Sequence, residues 1–149
     1  MAVTMSGEVV LPADKATVWA RLNDAATLKA SIPGCESLEK LSDTEMQAVA
    51  KIRIGPVSAR FKGKVNLSDL DPPNSYRISG QGDGGIAGFA KGGANVSLSD
   101  ADGGGTKLSY DVDAQIGGKI AQLGGRLIDS TSKKLADEFF ANFAKALAP

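Results

Sequence analysis

The sequence predicts an α+β domain in which an antiparallel sheet packs against one long helix near the C-terminus. Apolar side chains recur at steps of three and four along residues 117–148, which places them on one side of a helix. The middle of the chain instead alternates apolar and polar residues, most regularly in residues 57–67, as half-buried strands do. No other helical stretch has a comparable length, so the apolar side of this helix needs a sheet to pack against.

The remaining elements follow in a simple order. Residues 3–11 alternate as a first strand, and Asp14 is the expected N-cap of a short helix. Asn23 and Asp24 separate that helix from a second one at residues 25–30. The later strands are predicted at residues 36–41, 45–54, 57–67, 76–80, 88–98 and 108–116. The prediction is therefore a sheet of six to seven strands followed by a helix of about 45 Å.

Length and composition exclude several classes of protein and of active site. The 149 residues are predicted to form one ligand-binding domain, residues 1–149. No apolar run approaches the ~20 residues of a membrane span, and the N-terminus lacks the pattern of a secretory signal. A formal net charge of zero argues against a nucleic-acid surface. Because the chain has no histidine and one cysteine, Ser-His or Cys-His nucleophiles, His-ligated metals and thiolate clusters are excluded within it.

Small residues dominate the inward positions of the predicted strands. Because protein interiors pack densely, a layer of glycine and alanine leaves space that a helix or a ligand must fill. The alternative is that the glycines only permit sheet curvature and close helix packing. The small inward residues are Ala48, Ala50, Ala59, Gly63, Gly80, Gly82, Gly88, Ala90, Gly92 and Ala94.

A hollow at this position would be apolar and would suit a lipophilic ligand, with Tyr110 as its main polar group. Phe139 and Phe140 lie about 100° apart on a helix, so we expect one of them to be partly exposed. Phe89 is expected on the outward side of its strand. The predicted site has no catalytic and no metal-binding residue. The residues expected to line the cavity are Met46, Ala48, Ala59, Phe61, Gly88, Ala90, Tyr110, Val112, Leu123, Leu127 and Phe139.

Two features suggest other functions, but only weakly. Residues 80–85 match the dinucleotide fingerprint GxGxxG, which requires a helix directly after it, whereas residues 86–93 continue as a glycine-rich strand. Cys35 lies in a proline-glycine turn without a histidine to activate its thiol. We therefore interpret it as a small turn residue and not as a nucleophile.

Several short motifs together carry a family resemblance along nearly the whole chain. The most specific are the Pro-Gly-Cys-Glu turn and the glycine-rich strand. The motifs are Val18-Trp19, Asn23-Asp24, Ile32-Pro33-Gly34-Cys35-Glu36, Gly55-Pro56-Val57, Phe61-Lys62-Gly63, Asp71-Pro72-Pro73, residues 80–94, residues 117–127 and Phe139-Phe140. With them, the sequence resembles the CoxG family of carbon monoxide dehydrogenase subunits, part of the START-like, or polyketide cyclase-like (SRPBCC), superfamily.

The resemblance implies a helix-grip fold, in which a curved antiparallel sheet holds the C-terminal helix over a deep apolar cavity. It also implies a non-enzymatic accessory protein of a molybdenum-containing CO dehydrogenase or related hydroxylase. The expected partners are the subunits of that enzyme, and the expected location is cytoplasmic, with peripheral contact at the inner face of the membrane. Longer family members carry a C-terminal extension that can end in a membrane anchor, whereas this sequence ends at Pro149.

Three functions remain open at this point. The first is a carrier that binds a quinone or lipid, with no covalent cofactor, and brings the hydroxylase to the membrane. The second is a cyclase- or dehydratase-like enzyme, which would need a buried acid or base beyond Tyr110. The third is an assembly factor whose core is closed and whose outer surface does the work.

Overall fold

The computed structural model describes residues 1–147, so the predicted helix end at Ala148 lies outside the described residues. The strands are β1 (Ala2–Leu11), β2 (Cys35–Lys40), β3 (Glu45–Ile54), β4 (Val57–Asp71), β5 (Ser75–Asp83), β6 (Phe89–Asp100) and β7 (Thr106–Gly117). The α-helices are α1 (Lys15–Leu22), α2 (Ala25–Ser31) and α3 (Gly125–Leu147). Short 3₁₀ helices occur at Gly85–Ala87, Asp102–Gly104 and Lys119–Leu123.

The seven strands form one antiparallel sheet in the order β1-β7-β6-β5-β4-β3-β2. The two short helices carry the chain from one edge strand, β1, to the other, β2, and the chain then returns strand by strand to β1. The predicted alternation is visible on β1, where Val3 and Leu11 are buried while Ser6 and Glu8 are exposed. One side of the sheet therefore faces α3 and the other faces solvent, and the predicted helix-grip architecture is confirmed.

The short helices begin at aspartate N-caps. The Asp14 carboxylate accepts the backbone N–H of Thr17 at 2.9 Å, which confirms the predicted cap. The Asp24 carboxylate accepts the backbone N–H of Thr27 at 3.1 Å and its hydroxyl at 2.6 Å. Between them α1 directs Val18, which is fully buried, towards the sheet.

The prediction of one continuous helix over residues 117–148 is corrected at its start. Gly118 and Gly124 have φ angles of 80° and 94°, values that favour glycine and interrupt a helix. Lys119–Leu123 consequently forms a separate 3₁₀ segment, and α3 begins at Gly125. The helix of 23 residues is roughly 35 Å long. No helix within residues 1–147 combines the length and apolarity that a membrane span requires.

The two ends of the side facing α3 are filled differently. We call the end that carries α1, α2 and the Asp102–Gly104 turn the closed end, because the buried core lies there. The opposite end, with the loop at residues 84–88 and Lys119–Leu123, is called the open end. Apolar residues near the open end, such as Ile54 and Ala59 on the sheet and Leu127 on α3, are only partly buried. The core residues are Leu11, Val18, Leu22, Leu28, Met46, Leu67, Tyr76, Val96, Leu98, Leu108 and Phe143.

Candidate ligand cavity

Side chains on the side of the sheet facing α3 form rows across the strands, because neighbouring strands pair in register. Two rows near the closed end, the large rows, are Tyr76–Val96–Tyr110 and Leu67–Ile78–Ala94–Val112–Met5. The next two towards the open end, the small rows, are mostly glycine and alanine. They are Met46–Val65–Gly80–Gly92–Ala114 and Ala48–Gly63–Gly82–Ala90–Ile116.

A cavity of about 220 Å³ lies between the large rows and α3. This volume exceeds the ~150 Å³ of an apolar cavity that holds benzene, and it is below the ~300–1,000 Å³ of sites for drug-sized ligands. The only polar side-chain groups of its lining are the hydroxyls of Tyr76 and Tyr110. The lining residues are Met5, Leu22, Leu28, Met46, Leu67, Tyr76, Ile78, Ala94, Val96, Leu108, Tyr110, Val112, Ala136, Phe139 and Phe140.

Aromatic side chains of α3 and β7 form one wall of the cavity. The Tyr110 and Phe140 rings stack with centroids 5.3 Å apart and planes at 26°. Phe139 meets Phe140 edge to face at 5.1 Å and stacks on Phe143 at 5.8 Å. Phe139 and Phe140 are both half-buried and both line the cavity. The two side chains lie about 100° apart on α3, and the curved sheet extends around the helix far enough to face both.

Gly7 makes room for the Tyr110 ring. The two residues pair across β1 and β7, and a β-carbon at Gly7 would lie 2.7 Å from the Tyr110 hydroxyl oxygen. A side chain at position 7 would therefore displace the ring from its place beside Phe140. Because Gly7 has no side chain, the Tyr110 hydroxyl can lie over this position of β1.

Both tyrosine hydroxyls stay protonated at neutral pH. Burial raises the pKa of Tyr76, and burial together with the negative charge of Asp137 raises the pKa of Tyr110. Neither hydroxyl forms a hydrogen bond within residues 1–147. The Tyr110 hydroxyl lies over Gly7 of β1, and the wall of the cavity is almost entirely apolar.

Two glycines of the small rows could carry a methyl group without a clash. A β-carbon at Gly63 would meet no atom nearer than the Gln81 carbonyl oxygen at 3.5 Å. At Gly82 the nearest atom would be the Ala90 carbonyl oxygen at 4.0 Å. Neither glycine is needed to let the helix or another strand approach, and the hollow at these two positions stays a prediction.

Two other glycines have a different role. A β-carbon at Gly80 would lie 2.8 Å from the Lys64 carbonyl oxygen, and one at Gly92 would overlap the carbonyl oxygen of Asp113. These positions need glycine because neighbouring backbones approach closely where the sheet curves. For Gly80 and Gly92 the explanation by close backbone approach therefore applies.

Helix α3 reaches the sheet mainly near its edges. Its principal backbone contacts within the described chain are with β1, β3 and α2. Most residues of the small rows on the intervening strands remain partly exposed. We call the strip of the sheet that carries the small rows, between the cavity and the open end, the trough.

The predicted cavity residues fall into two groups. Met46, Tyr110, Val112 and Phe139 line the cavity. The other seven lie outside that lining, and their contact with a ligand stays a prediction. Among them Leu127 lies against Gly55 at the open end. The seven are Ala48, Ala59, Phe61, Gly88, Ala90, Leu123 and Leu127.

Sequence reasoning missed most of the large lining residues because it took small size as the sign of a hollow. Tyr76 is the important omission. It lies on the same side of the sheet as Tyr110, separated from it by Val96. Alternation places both tyrosines on the side facing α3, but only the registers of β5 with β6 and of β6 with β7 place them in one row.

Groups that support acid–base or nucleophilic chemistry are absent from the lining, which contains no carboxylate, lysine or cysteine. Hydrogen bonds to the side chains of Asp14, Asp24 and Glu36 lower the pKa of each, and these residues lie on helix caps or the outer surface. Burial raises the pKa of the Cys35 thiol, which donates to the Ser37 carbonyl at 3.3 Å. Cys35 is therefore a poor nucleophile.

The same fold occurs in solved structures of other proteins. A conserved protein from Geobacillus kaustophilus is 29% identical, with a TM-score of 0.91 over 97% of this chain and 95% of that one. A START superfamily protein from Mycobacterium smegmatis is 14% identical, with a TM-score of 0.72 over 97% and 96%. The Zhui aromatase/cyclase from Streptomyces sp. R1128 is 11% identical, with a TM-score of 0.70 over 99% and 94%. The last two similarities show the fold alone.

No curated protein matches the chain at the level of sequence. A family model does: the one for the carbon monoxide dehydrogenase CoxG subunit matches residues 7–148. The match includes the second half of β1, every later strand and the helix over the cavity. This protein therefore belongs to the CoxG family of carbon monoxide dehydrogenase subunits, with a START-like fold.

Proposed function

We propose that this protein binds a quinone or another lipid in its cavity and links a molybdenum-containing CO dehydrogenase or related hydroxylase to the membrane. The observation that carries the proposal is the apolar cavity between the sheet and α3, whose lining includes Tyr76 and Tyr110. Family membership supports a non-enzymatic accessory role beside a CO dehydrogenase.

The dimensions of the cavity favour a ligand with a ring and a flexible apolar tail. A volume of about 220 Å³ suits one ring system. A quinone ring carries carbonyl oxygens that accept hydrogen bonds, and the hydroxyls of Tyr76 and Tyr110 are donors without another partner. The tail would then follow the small rows, where Gly63 and Gly82 leave room.

An enzyme of the cyclase kind is the second candidate, because the Zhui aromatase/cyclase shares the fold. Such chemistry needs a positioned acid or base. The lining offers only two tyrosine hydroxyls whose pKa is raised by burial. The chemistry of the wall therefore supports binding over catalysis, and the cavity itself favours a ligand over a closed core.

The first experiment is native mass spectrometry of the purified protein, followed by solvent extraction and identification of any released molecule. A co-purifying quinone or lipid would support the proposal directly. Protein that arrives empty would then be titrated with a short-chain ubiquinone or menaquinone analogue. Trp19, the single tryptophan, reports on binding because its ring meets Tyr76 edge to face at 5.3 Å.

We expect the analogue to quench Trp19 fluorescence and to raise the melting temperature. Ala136→Phe places a ring in the cavity and should weaken binding at least about tenfold, because it removes the apolar burial of the ligand ring. Ala141→Phe is the matched control, since this alanine is exposed on the same helix. Equal binding by both variants, or no binding by the native chain, would favour the assembly-factor function.

A further inference from the structure

The loop between β5 and β6 presents the most exposed large apolar side chain of the described residues. Ile86 is 93% exposed, and Phe89, three residues later, is 43% exposed. Single exposed apolar residues are common on proteins and need no explanation. These two lie within one six-residue segment, residues 84–89, which we call the tip.

The tip is held in a defined shape. The Gly84 N–H donates to the Gly88 carbonyl oxygen at 2.8 Å, which closes the loop at its base. The Gly85 N–H donates to the Asp83 carboxylate, also at 2.8 Å. Ile86 therefore projects from an ordered turn, and the Asp83 carboxylate at the base of this turn accepts a hydrogen bond from the backbone.

The tip lies at the open end, beside the exit of the trough. Gly88 packs against Gly118, directly before Lys119–Leu123. The ring of Phe61 packs against Gly84 from the β4 side. A ligand tail that follows the small rows away from the cavity reaches this end of the sheet.

Lysines surround the tip on the outer surface. The outward row that contains Phe89 also contains Lys62 and Asp83, and the next row contains Lys64 and Lys91. Lys62, Lys64, Lys91 and Lys119 are all exposed.

The outer surface changes sign further from the tip. The two rows beyond carry Glu45, Asp111 and Asp113, with Arg77 as their positive residue. Although the formal net charge is zero, the outer surface therefore has a positive region around the tip and a negative region beyond it.

We propose that the tip, together with Lys62, Lys91 and Lys119, docks the open end onto an anionic lipid bilayer. Ile86 and Phe89 enter the interfacial layer, and the lysines meet the lipid phosphates. This proposal rests on the proposed function, because docking would place the exit of the trough against the bilayer, which is the source of a lipophilic ligand. Four other exposed apolar residues lie outside the tip at different places in the chain, namely Met1, Val10, Leu41 and Leu70.

Flotation with lipid vesicles tests the proposal. The native chain should bind vesicles of phosphatidylcholine mixed with phosphatidylglycerol, and bind pure phosphatidylcholine much more weakly. Ile86→Ser should lower the association constant about tenfold, because the apolar transfer of this side chain is lost. Lys91→Ala and Lys119→Ala should each lower it about fivefold on anionic vesicles. Leu41→Ser, at a residue 44% exposed, is the matched control and should bind like the native chain.

Native protein that binds neither kind of vesicle would overturn the docking proposal, as would equal losses in Ile86→Ser and Leu41→Ser. The titration of Trp19 with a soluble quinone analogue separates this failure from failure of the proposed function. Ile86→Ser should leave that quenching unchanged. Vesicle binding without quinone binding by the native chain would contradict the carrier function and retain the docking tip. Quinone binding without vesicle binding by the native chain would contradict the docking tip and support the carrier function.

Discussion

Gly82 and Gly92 lie on adjacent strands and have opposite steric requirements. Gly82→Ala should raise the free energy of unfolding by roughly 0.5–1 kcal/mol, because glycine weakens a strand and the new methyl group makes no contact closer than 4.0 Å. Gly92→Ala should lower it by about 1–3 kcal/mol, because the methyl group overlaps the Asp113 carbonyl oxygen. Urea unfolding of both variants measures the difference. Equal effects of the same sign would contradict the division of the small rows into two kinds of glycine.

The sequence could not assign these two roles. Alternation places both glycines on the side facing α3, and the residues two positions away on that side, such as Gly80, Ala90 and Ala94, are similarly small. The deciding quantity is the distance from each Cα to the backbone of the next strand, which depends on how the finished sheet curves. Small residues predict that a hollow or a bend of the sheet occurs in these rows. Only the register and the distances between strands in the folded sheet show which explanation applies to a given glycine.

The N-caps of α1 and α2 make the protein sensitive to acid. Hydrogen bonds from Thr17 and Thr27 lower the pKa of Asp14 and Asp24 below the ordinary 3.8. Because the folded pKa lies below the unfolded one, this stabilisation is present above the unfolded pKa and is lost as the pH falls through the folded pKa. The melting temperature should therefore decrease between about pH 5 and pH 3.

The double variant Asp14→Asn/Asp24→Asn tests this cause. Asparagine also caps helices but carries no titrating carboxylate. Melting followed by circular dichroism should show a smaller decrease on acidification for the variant than for the native chain. Identical decreases would mean that other carboxylates, such as Glu36 in its ion pair with Arg60, carry the acid sensitivity.

At the scale of elements, the alternating strands were predictable and the start of the last helix was not. The bounds predicted for β3, residues 45–54, agree with the structure. Apolar periodicity continues through Lys119–Leu123, so nothing in that pattern separates this segment from α3. The separation comes from the backbone of Gly118 and Gly124, whose positive φ is permitted by glycine but not demanded by it.

For the whole molecule, the fold could be derived from order and periodicity, whereas the position of the cavity could not. The pattern identifies which side of each strand faces the helix, and the family resemblance adds the helix-grip arrangement. Where the cavity lies depends on the distance between α3 and each strand, a property of three-dimensional packing. This is why Met46 and Tyr110 were found while Tyr76, on a neighbouring part of the same wall, was not.

The uncovered small rows have a thermodynamic consequence. Apolar surface that stays hydrated in the folded state contributes to its heat capacity, and a ligand that covers this surface removes that contribution. Isothermal calorimetry at several temperatures should therefore give a negative heat-capacity change for binding. The change should be larger for a quinone analogue with a prenyl tail than for one without. Equal values for the two would place the tail outside the trough, so the heat capacity of binding records which part of the ligand lies over Gly63 and Gly82.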